Sequence, residues 1–576
     1  MNLKTVYEID NIPHSEYPRP QLRRDSFLCL NGTWDFSVKS QDSVKQYGSI
    51  HVPFSPECLN SGIPEGFKLG ANDISVYKRT FEINDEMLLG CTMLHFGAVD
   101  SRCKVFVNDA MACEHRGGYT PFSADITYLI KQGLNTLVVE CEDDTEISEG
   151  ARGKQSSTPG GIWYTAQSGI WQTVWLESMP EEHINDITVI TDAEAKTVKI
   201  TTDYVGRQTL KIFDKEQIIL EKEFFGEANV SFDFELWSPE NPRLYDFEII
   251  TESGDKIKSY FGVRSFGIGT DKAGKPRLLL NGKPYFYNGI LDQGYWSDGL
   301  LTPPSDQAML DELTMLKNMG FNMIRKHIKI EPMRWYYHCD RLGLVVWQDF
   351  VNGGGRYKFT HVAAFPFLGF KHKDNDYKYF ARESEQGREE FERSVYETVG
   401  ALKNSTCIGA WVPFNEGWGQ FDSAKYTELV KKLDGTRIVD SVSGWHDQGV
   451  GKTELRSLHT YYTPLKVPDD IRPVVLSEFG GYSLKIDGHV FNEDKEFGYK
   501  KFKDEKSFAD ALEKLYLEKL LPLIDKGLCA CVYTQVSDVE EEINGLVTYD
   551  RKKIKIPVER MKRINERISC AMQKLL

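Results

Sequence analysis

Between residues 284 and 535 one unit recurs: a short apolar run, then a longer and more polar stretch. The runs are PYFYNGI (284–290), FNMIRKH (321–327), LVVWQD (344–349), IGAWVPFNE (408–416), RIVDSVS (437–443), LRSLHTYY (455–462), PVVLSEFG (473–480) and LCACVYTQ (528–535). Runs this short and this uniformly apolar suit strands buried on both faces, the condition of a parallel sheet covered by helices. The first intervening stretch carries helix signals. Ser305 or Asp306 can cap its start after Pro303 and Pro304, Met309, Leu313 and Leu316 recur at helical spacing, and Gly320 ends it. Eight strands alternating with helices over roughly 300 residues predict a (β/α)8 barrel, whose chemistry sits at the C-terminal strand ends.

Upstream the periodicity is different. From Leu30 to about Met179, runs rich in β-branched and aromatic residues are separated by Gly, Pro, Asn and Asp, among them LNGTWDFSV (30–38), SVYKRTFEI (75–83) and WQTVWLE (171–177). This predicts a β-sandwich over 1–180. A second set, from ITVIT (187–191) to YDFEIIT (245–251), is compact enough for an immunoglobulin-like sandwich over 181–270. The Gly/Lys/Pro stretch near 272–276 marks the expected boundary, with the barrel over 271–576.

Charge and cysteine content narrow the function classes. A formal net charge of -15 repels phosphate backbones and anionic membranes, so neither nucleic acid nor a membrane is an expected partner. No segment approaches the ~20 apolar residues of a bilayer span, and the amino terminus lacks the apolar core of a secretory signal. The 11 cysteines are scattered without paired spacing and are read as reduced thiols, with Cys529 and Cys531 in a strand core. Together these predict a cytoplasmic protein.

Polar residues gather at the ends of the apolar runs: Arg325, His327, Asp349, Asn415, Glu416, His459, Tyr461, Glu478 and Gln535. Taken singly, each is better explained as a strand end meeting solvent. In a barrel, however, all these ends surround one mouth. Glu416 on the fourth strand and Glu478 on the seventh can then face each other, and two facing carboxylates are the requirement of glycoside hydrolysis. Arg325 would keep Glu478 ionised, and Asn415 could bond the sugar 2-hydroxyl.

At these residues the chain resembles glycoside hydrolase family two, which includes β-galactosidases, β-glucuronidases and β-mannosidases. VPFNEGW (412–418) looks like that family's acid/base motif and VVLSEFGG (474–481) like its nucleophile motif. LHFGAVDSRCKVFVND (94–109) and SGIWQTVWLE (168–177) resemble its amino-terminal sugar-binding jelly roll, WSPENPRLY (237–245) with YFGVRSF (260–266) the end of its immunoglobulin-like domain, and LNGKPYFYNGI (280–290) its first barrel strand. The resemblance implies Glu416 as acid/base, Glu478 as nucleophile, Asn415 as the 2-hydroxyl contact and Arg325 as the nucleophile's partner. It implies a retaining exo-β-glycosidase acting on a glycoside or small oligosaccharide.

The departures carry information too. No dedicated metal-ligand set is visible, so no metal or cofactor is expected. Where β-glucuronidases place an Asn and Lys pair for the sugar carboxylate, this chain reads VEEEINGLVTYDR (539–551), an acidic run that would repel a uronate. A neutral sugar, galactose first, is therefore expected, with β-glucuronide, β-mannoside or β-arabinoside as alternatives and a non-catalytic carbohydrate-binding protein as the contrasting class. Asp292 and Trp296 after the first strand, Trp445 after the fifth, His459 and Tyr461 on the sixth, and Gln535 and Glu542 at and after the eighth complete the expected sugar contacts, with His446 beside Trp445 a weaker candidate. The 353–385 insertion serves either to shape the leaving-group subsite or as a contact in a homo-oligomer.

Overall fold

The computed structural model describes residues 3–145, 147, 149–358 and 360–573. The first unit is a sandwich of a four-stranded and a six-stranded antiparallel sheet. Strand Gly32–Ser40 alternates buried and exposed residues, turning Trp34, Phe36 and Val38 inward against Tyr77, Phe96, Val105 and Leu176. That alternation is what period-two side-chain direction requires of a sheet with one solvated face. The second unit has seven strands, Ile187–Asp192 through Lys256–Phe261, around a core of Ile200, Leu210, Phe247 and Ile257. All seven join in one antiparallel strip because Phe225 pairs with Glu227 across Gly226. The Gly/Lys/Pro stretch at 272–276 turns a hairpin between Phe266–Thr270 and Pro276–Leu280. Its fully buried Arg277 pairs with Asp271 and bonds the carbonyls of Ile524 and Leu528, at the start of the last barrel strand.

The third unit is a curled parallel sheet of eight strands. All eight apolar runs form strands, from Tyr287–Asp292 through Met323–Lys326, Val345–Asp349 and Ile408–Val412 to Val474–Gly480 and Leu528–Thr534. Residues 323–326, 345–349 and 408–412 are buried throughout, as uniform apolarity predicts. Ser305 caps the first helix, Asp306–Asn318, accepting from Ala308 N, and Met309, Leu313 and Leu316 are its buried face. The ladder is open between the fifth strand, split into Ile438–Val439 and Val442–Ser443, and the sixth, Arg456–Thr460. Side chains bridge that seam: Ser457 Oγ donates to Asp440 Oδ2 at 2.9 Å, and Ser443 Oγ lies 3.0 Å from His459 Nε2. All 11 cysteines are unpaired, and among the described residues no helix is long and apolar enough to cross a membrane.

Candidate active site

Arg325, near the end of the second strand, organises the site. A guanidinium with no solvent exposure is tolerated only when its donors are met. Its Nε and Nη2 reach the two carboxylate oxygens of Asp349 at 3.0 and 2.9 Å, and Nη2 also reaches Asn415 Oδ1 at 2.8 Å. Nη1 donates to Ser477 O at 3.0 Å and to Glu478 Oε1 at 3.1 Å. One side chain thereby orients residues from the third, fourth and seventh strands. Because a guanidinium cannot accept a hydrogen bond, the Asn415 amide must turn its oxygen toward Arg325. Its Nδ2 is left buried and unpartnered in the protein, the position expected of a group that waits for a substrate oxygen.

Glu416 adopts φ +51°, a left-handed conformation that costs a non-glycine residue about 1–3 kcal/mol. Gly417 continues the turn at φ +76°, where a Cβ would meet His446 Cδ2 at 2.6 Å, so only glycine fits. The turn directs the Glu416 carboxyl into the mouth. One oxygen of Glu416 and one of Glu478 lie within 4.8 Å of each other, and His459 sits between them. His459 Nδ1 is 2.6 Å from Glu416 Oε1, while Nε2 faces Ser443 Oγ, Arg325 Nη1 at 3.5 Å and Glu478 Oε1 at 3.6 Å. Facing a carboxyl oxygen at 2.6 Å, the ring nitrogen Nδ1 is assigned a proton. His459 then donates to Oε1 of Glu416 and leaves Oε2 free to carry an acidic proton.

The environments of the two acids push them apart. Burial lifts the Glu416 carboxyl above the ordinary glutamate range, and the nearby Glu478 charge adds to this, against the opposing His459 contact. Burial acts on Glu478 in the same sense but is outweighed by His459 and Arg325, with help from His327 and the Tyr461 hydroxyl, and Glu478 is held well below that range. Their surroundings thus place the shared proton on Glu416 in preference to Glu478. Among the described residues, Glu416, His459 and Glu478 are the His and acid cluster compact enough to hold a cation, but the Arg325 guanidinium already neutralises Glu478 there.

The other expected contacts are distributed unevenly. Tyr461 donates to Glu478 Oε2 and stacks on Tyr499 at 3.8 Å. His327 is bound through Nδ1 to Asp349 Oδ2 at 2.8 Å. Trp445 lies 6.3 Å from the His459 ring. Gln535 accepts from Gln293 at 2.7 Å and keeps a buried, unpartnered Nε2. Asp292, by contrast, is committed to Lys326 and to Gly294 N. Trp296 has one face under Arg551, at 4.3 Å, and an edge on Tyr7, so protein covers the surface that a sugar would need. His446 packs against Phe380 of the 353–385 insertion, and Tyr357 of that insertion reaches Trp163.

Sequence reasoning missed what the first sandwich adds to the mouth. Its loop 151–168 docks on the barrel, with Arg152 N and Gly153 N bonded to Asn352 O at 3.0 and 3.1 Å. The acidic run holds the loop's other side. Glu541 accepts from Gly161 N, Glu540 from Thr165 N and Glu542 from the Tyr164 hydroxyl. These carboxylates therefore serve as a clamp between two domains, and burial lifts that of Glu540 to about 7. The clamped loop presents Lys154 and Trp163 to the mouth, where Trp163 and Trp418 form an aromatic wall with ring centres 5.2 Å apart. Their only sequence signal is a pair of aromatic residues in a Gly/Ser/Pro-rich loop.

The fold and the paired acids define a class: a barrel carrying a carboxylate pair at its C-terminal mouth, with two sandwiches before it. The model of the glycosyl hydrolases family 2 sugar binding domain matches residues 60–180, that of glycosyl hydrolases family 2 residues 182–264, and that of its TIM barrel domain residues 273–484. The chain belongs to glycosyl hydrolases family 2. It is 25% identical over 417 residues to a β-galactosidase of Thermoanaerobacter pseudethanolicus, covering 67% of this chain and 50% of that protein. The chain spans about half the length of the sequence relatives it matches. Among solved structures, a β-D-glucuronidase of Dictyoglomus thermophilum superimposes with a TM-score of 0.74 at 18% identity, covering 96% of this chain and 98% of that one. A family 2 β-galacturonidase of Eisenbergiella tayi bound to galacturonate gives 0.69 at 17% identity, covering 97% and 99%.

Proposed function

We propose that the protein is a retaining exo-β-glycosidase working by double displacement. The observation that carries this is the Glu416 and Glu478 pair, whose oxygens approach within 4.8 Å. Retaining enzymes hold their carboxyl groups about 5–5.5 Å apart, whereas inverting enzymes leave about 6.5–9.5 Å for a water. Glu478 attacks the anomeric carbon and expels the leaving oxygen, which takes its proton from Glu416. Water, deprotonated by Glu416, then releases the sugar with its configuration retained. Asn415 Nδ2 meets the 2-hydroxyl.

The opposed proton affinities give a pH profile. Activity needs Glu478 ionised, so kcat/KM falls only when the pH drops below the usual carboxylate range. It also needs Glu416 protonated, so the alkaline limb lies above that range. A bell with both limbs, measured on a nitrophenyl glycoside, is the expected result, and Glu416→Gln should remove the alkaline limb.

For the sugar, we favour a β-uronide over the neutral galactoside. Two observations support it: the near-complete match to proteins described as a glucuronidase and a galacturonidase, and the engagement of the acidic run by the sandwich loop, which ties its carboxylates to protein donors rather than leaving them all facing the ligand. The β-galactosidase relative and the remaining negative charge of Glu542 support the neutral sugar as a second reading. A panel of nitrophenyl β-glycosides separates the two. The glucuronide or galacturonide is expected to lead the galactoside in kcat/KM by at least about tenfold. A leading galactoside would reverse the preference, and tight sugar binding without turnover of any glycoside would end the enzymatic proposal.

A further inference from the structure

Lys154 sits in the clamped sandwich loop and is 6% exposed. Its Nζ lies 5.5 Å from the ring centre of Tyr164 and 5.5 Å from that of Trp418, and its charge reaches the Glu416 carboxyl and the His327 imidazole. Other buried cations around the mouth have partners: Arg325 meets Asp349 and Glu478, Lys326 meets Asp292 and Glu331, Lys329 meets Glu331, Lys555 meets Asp538, and Arg152 and Arg382 bond backbone carbonyls. Lys154 is different. Among the described residues, no carboxylate lies within ion-pair distance of its Nζ and no oxygen accepts from it. Glu542 of the acidic run is instead engaged by the Tyr164 hydroxyl.

An ammonium at the tip of a largely buried side chain, with no counter-charge from the protein, favours an anion that arrives from the mouth to meet it. Two aromatic faces make a polarisable seat for the charge without neutralising it. A sugar whose anomeric carbon sits at Glu478 and whose 2-hydroxyl sits at Asn415 extends from the acids toward the surrounding wall, and Lys154 is the cation on that wall left without a partner. We propose that Lys154 binds the carboxylate of the terminal sugar and is the residue that selects a β-uronide. The proposal rests on the uronide reading above and adds to it the group responsible, on a different domain from the reacting acids.

The experiment compares the wild-type protein, Lys154→Met and Lys154→Arg on nitrophenyl β-glucuronide, β-galacturonide and β-galactoside, with calorimetry to establish folding. Lys154→Met is expected to lose on the order of 100-fold in kcat/KM on the preferred uronide, mainly through KM. Its loss on the galactoside should be at least about tenfold smaller, and Lys154→Arg should recover part of the uronide activity. A measurement on the wild type alone gives a second test: free glucuronate should inhibit at least about tenfold more tightly than uncharged glucuronamide. If the wild type prefers a uronide but Lys154→Met lowers all substrates equally or none, Lys154 is not the carboxylate group and the uronide reading survives. Equal inhibition by glucuronate and glucuronamide would likewise overturn the role of Lys154. If the wild type turns over only neutral glycosides, the uronide reading fails and this assignment falls with it.

Discussion

Glu478→Gln is expected to lower kcat by about four orders of magnitude or more while leaving the fold intact, because an amide cannot form the glycosyl ester. The structure explains why folding should survive. Arg325 keeps both bonds to Asp349 and its bond to Ser477 O, and the Gln carbonyl still accepts from Nη1. The change therefore removes a charge from a network that retains its other acid, avoiding the heavy destabilisation of a buried cation stripped of its only partner. Turnover on a nitrophenyl glycoside and calorimetric unfolding are the two measurements. Substantial residual turnover in a well-folded variant would take the nucleophile role from Glu478.

Replacing Glu416 with Ala should separate the two chemical steps. Glycosides with poor leaving groups need the proton and should lose about 10²–10⁴-fold, the usual contribution of general acid catalysis. Substrates with activated leaving groups should be nearly spared in the first step and stall as the glycosyl-enzyme, since no base remains to activate water. Azide needs no such base, fits the space vacated by the carboxyl and should restore turnover, giving a β-glycosyl azide identifiable by NMR. An azide product of inverted configuration, or no rescue at all, would show that Glu416 does not serve as acid/base. The variant also leaves His459 Nδ1 without its 2.6 Å partner, a reason to follow its stability alongside its kinetics.

The barrel was legible because its strands are covered on both faces, so that runs such as 345–349 and 408–412 carry an unbroken apolar signal. The paired acids were legible for a related reason: strand ends in such a barrel converge, and two glutamates that are 62 positions apart in sequence become neighbours once their strands are placed. Residues whose meaning depends on a partner in another domain were not legible. The run at 540–542 reads as negative charge facing a ligand, yet its carboxylates bind backbone and hydroxyl groups of residues 161–165. Trp296 reads as a pocket wall until Arg551 is found lying over it. Lys154 and Trp163 sit in a Gly/Ser/Pro-rich loop with little local pattern to distinguish them, and only the docking of that loop on Asn352 brings them to the mouth.

That docking divides labour between two separate hydrophobic cores. On the proposed mechanism the atoms that make and break bonds belong to the barrel, whereas part of the surface proposed to select the sugar is lent by a neighbour through a single stretch of loop. Altering that stretch can readdress the catalyst to another sugar while its reacting acids stay as they are. Any loosening of the seam between sandwich and barrel should appear first as lost discrimination among sugars and only later as lost chemistry.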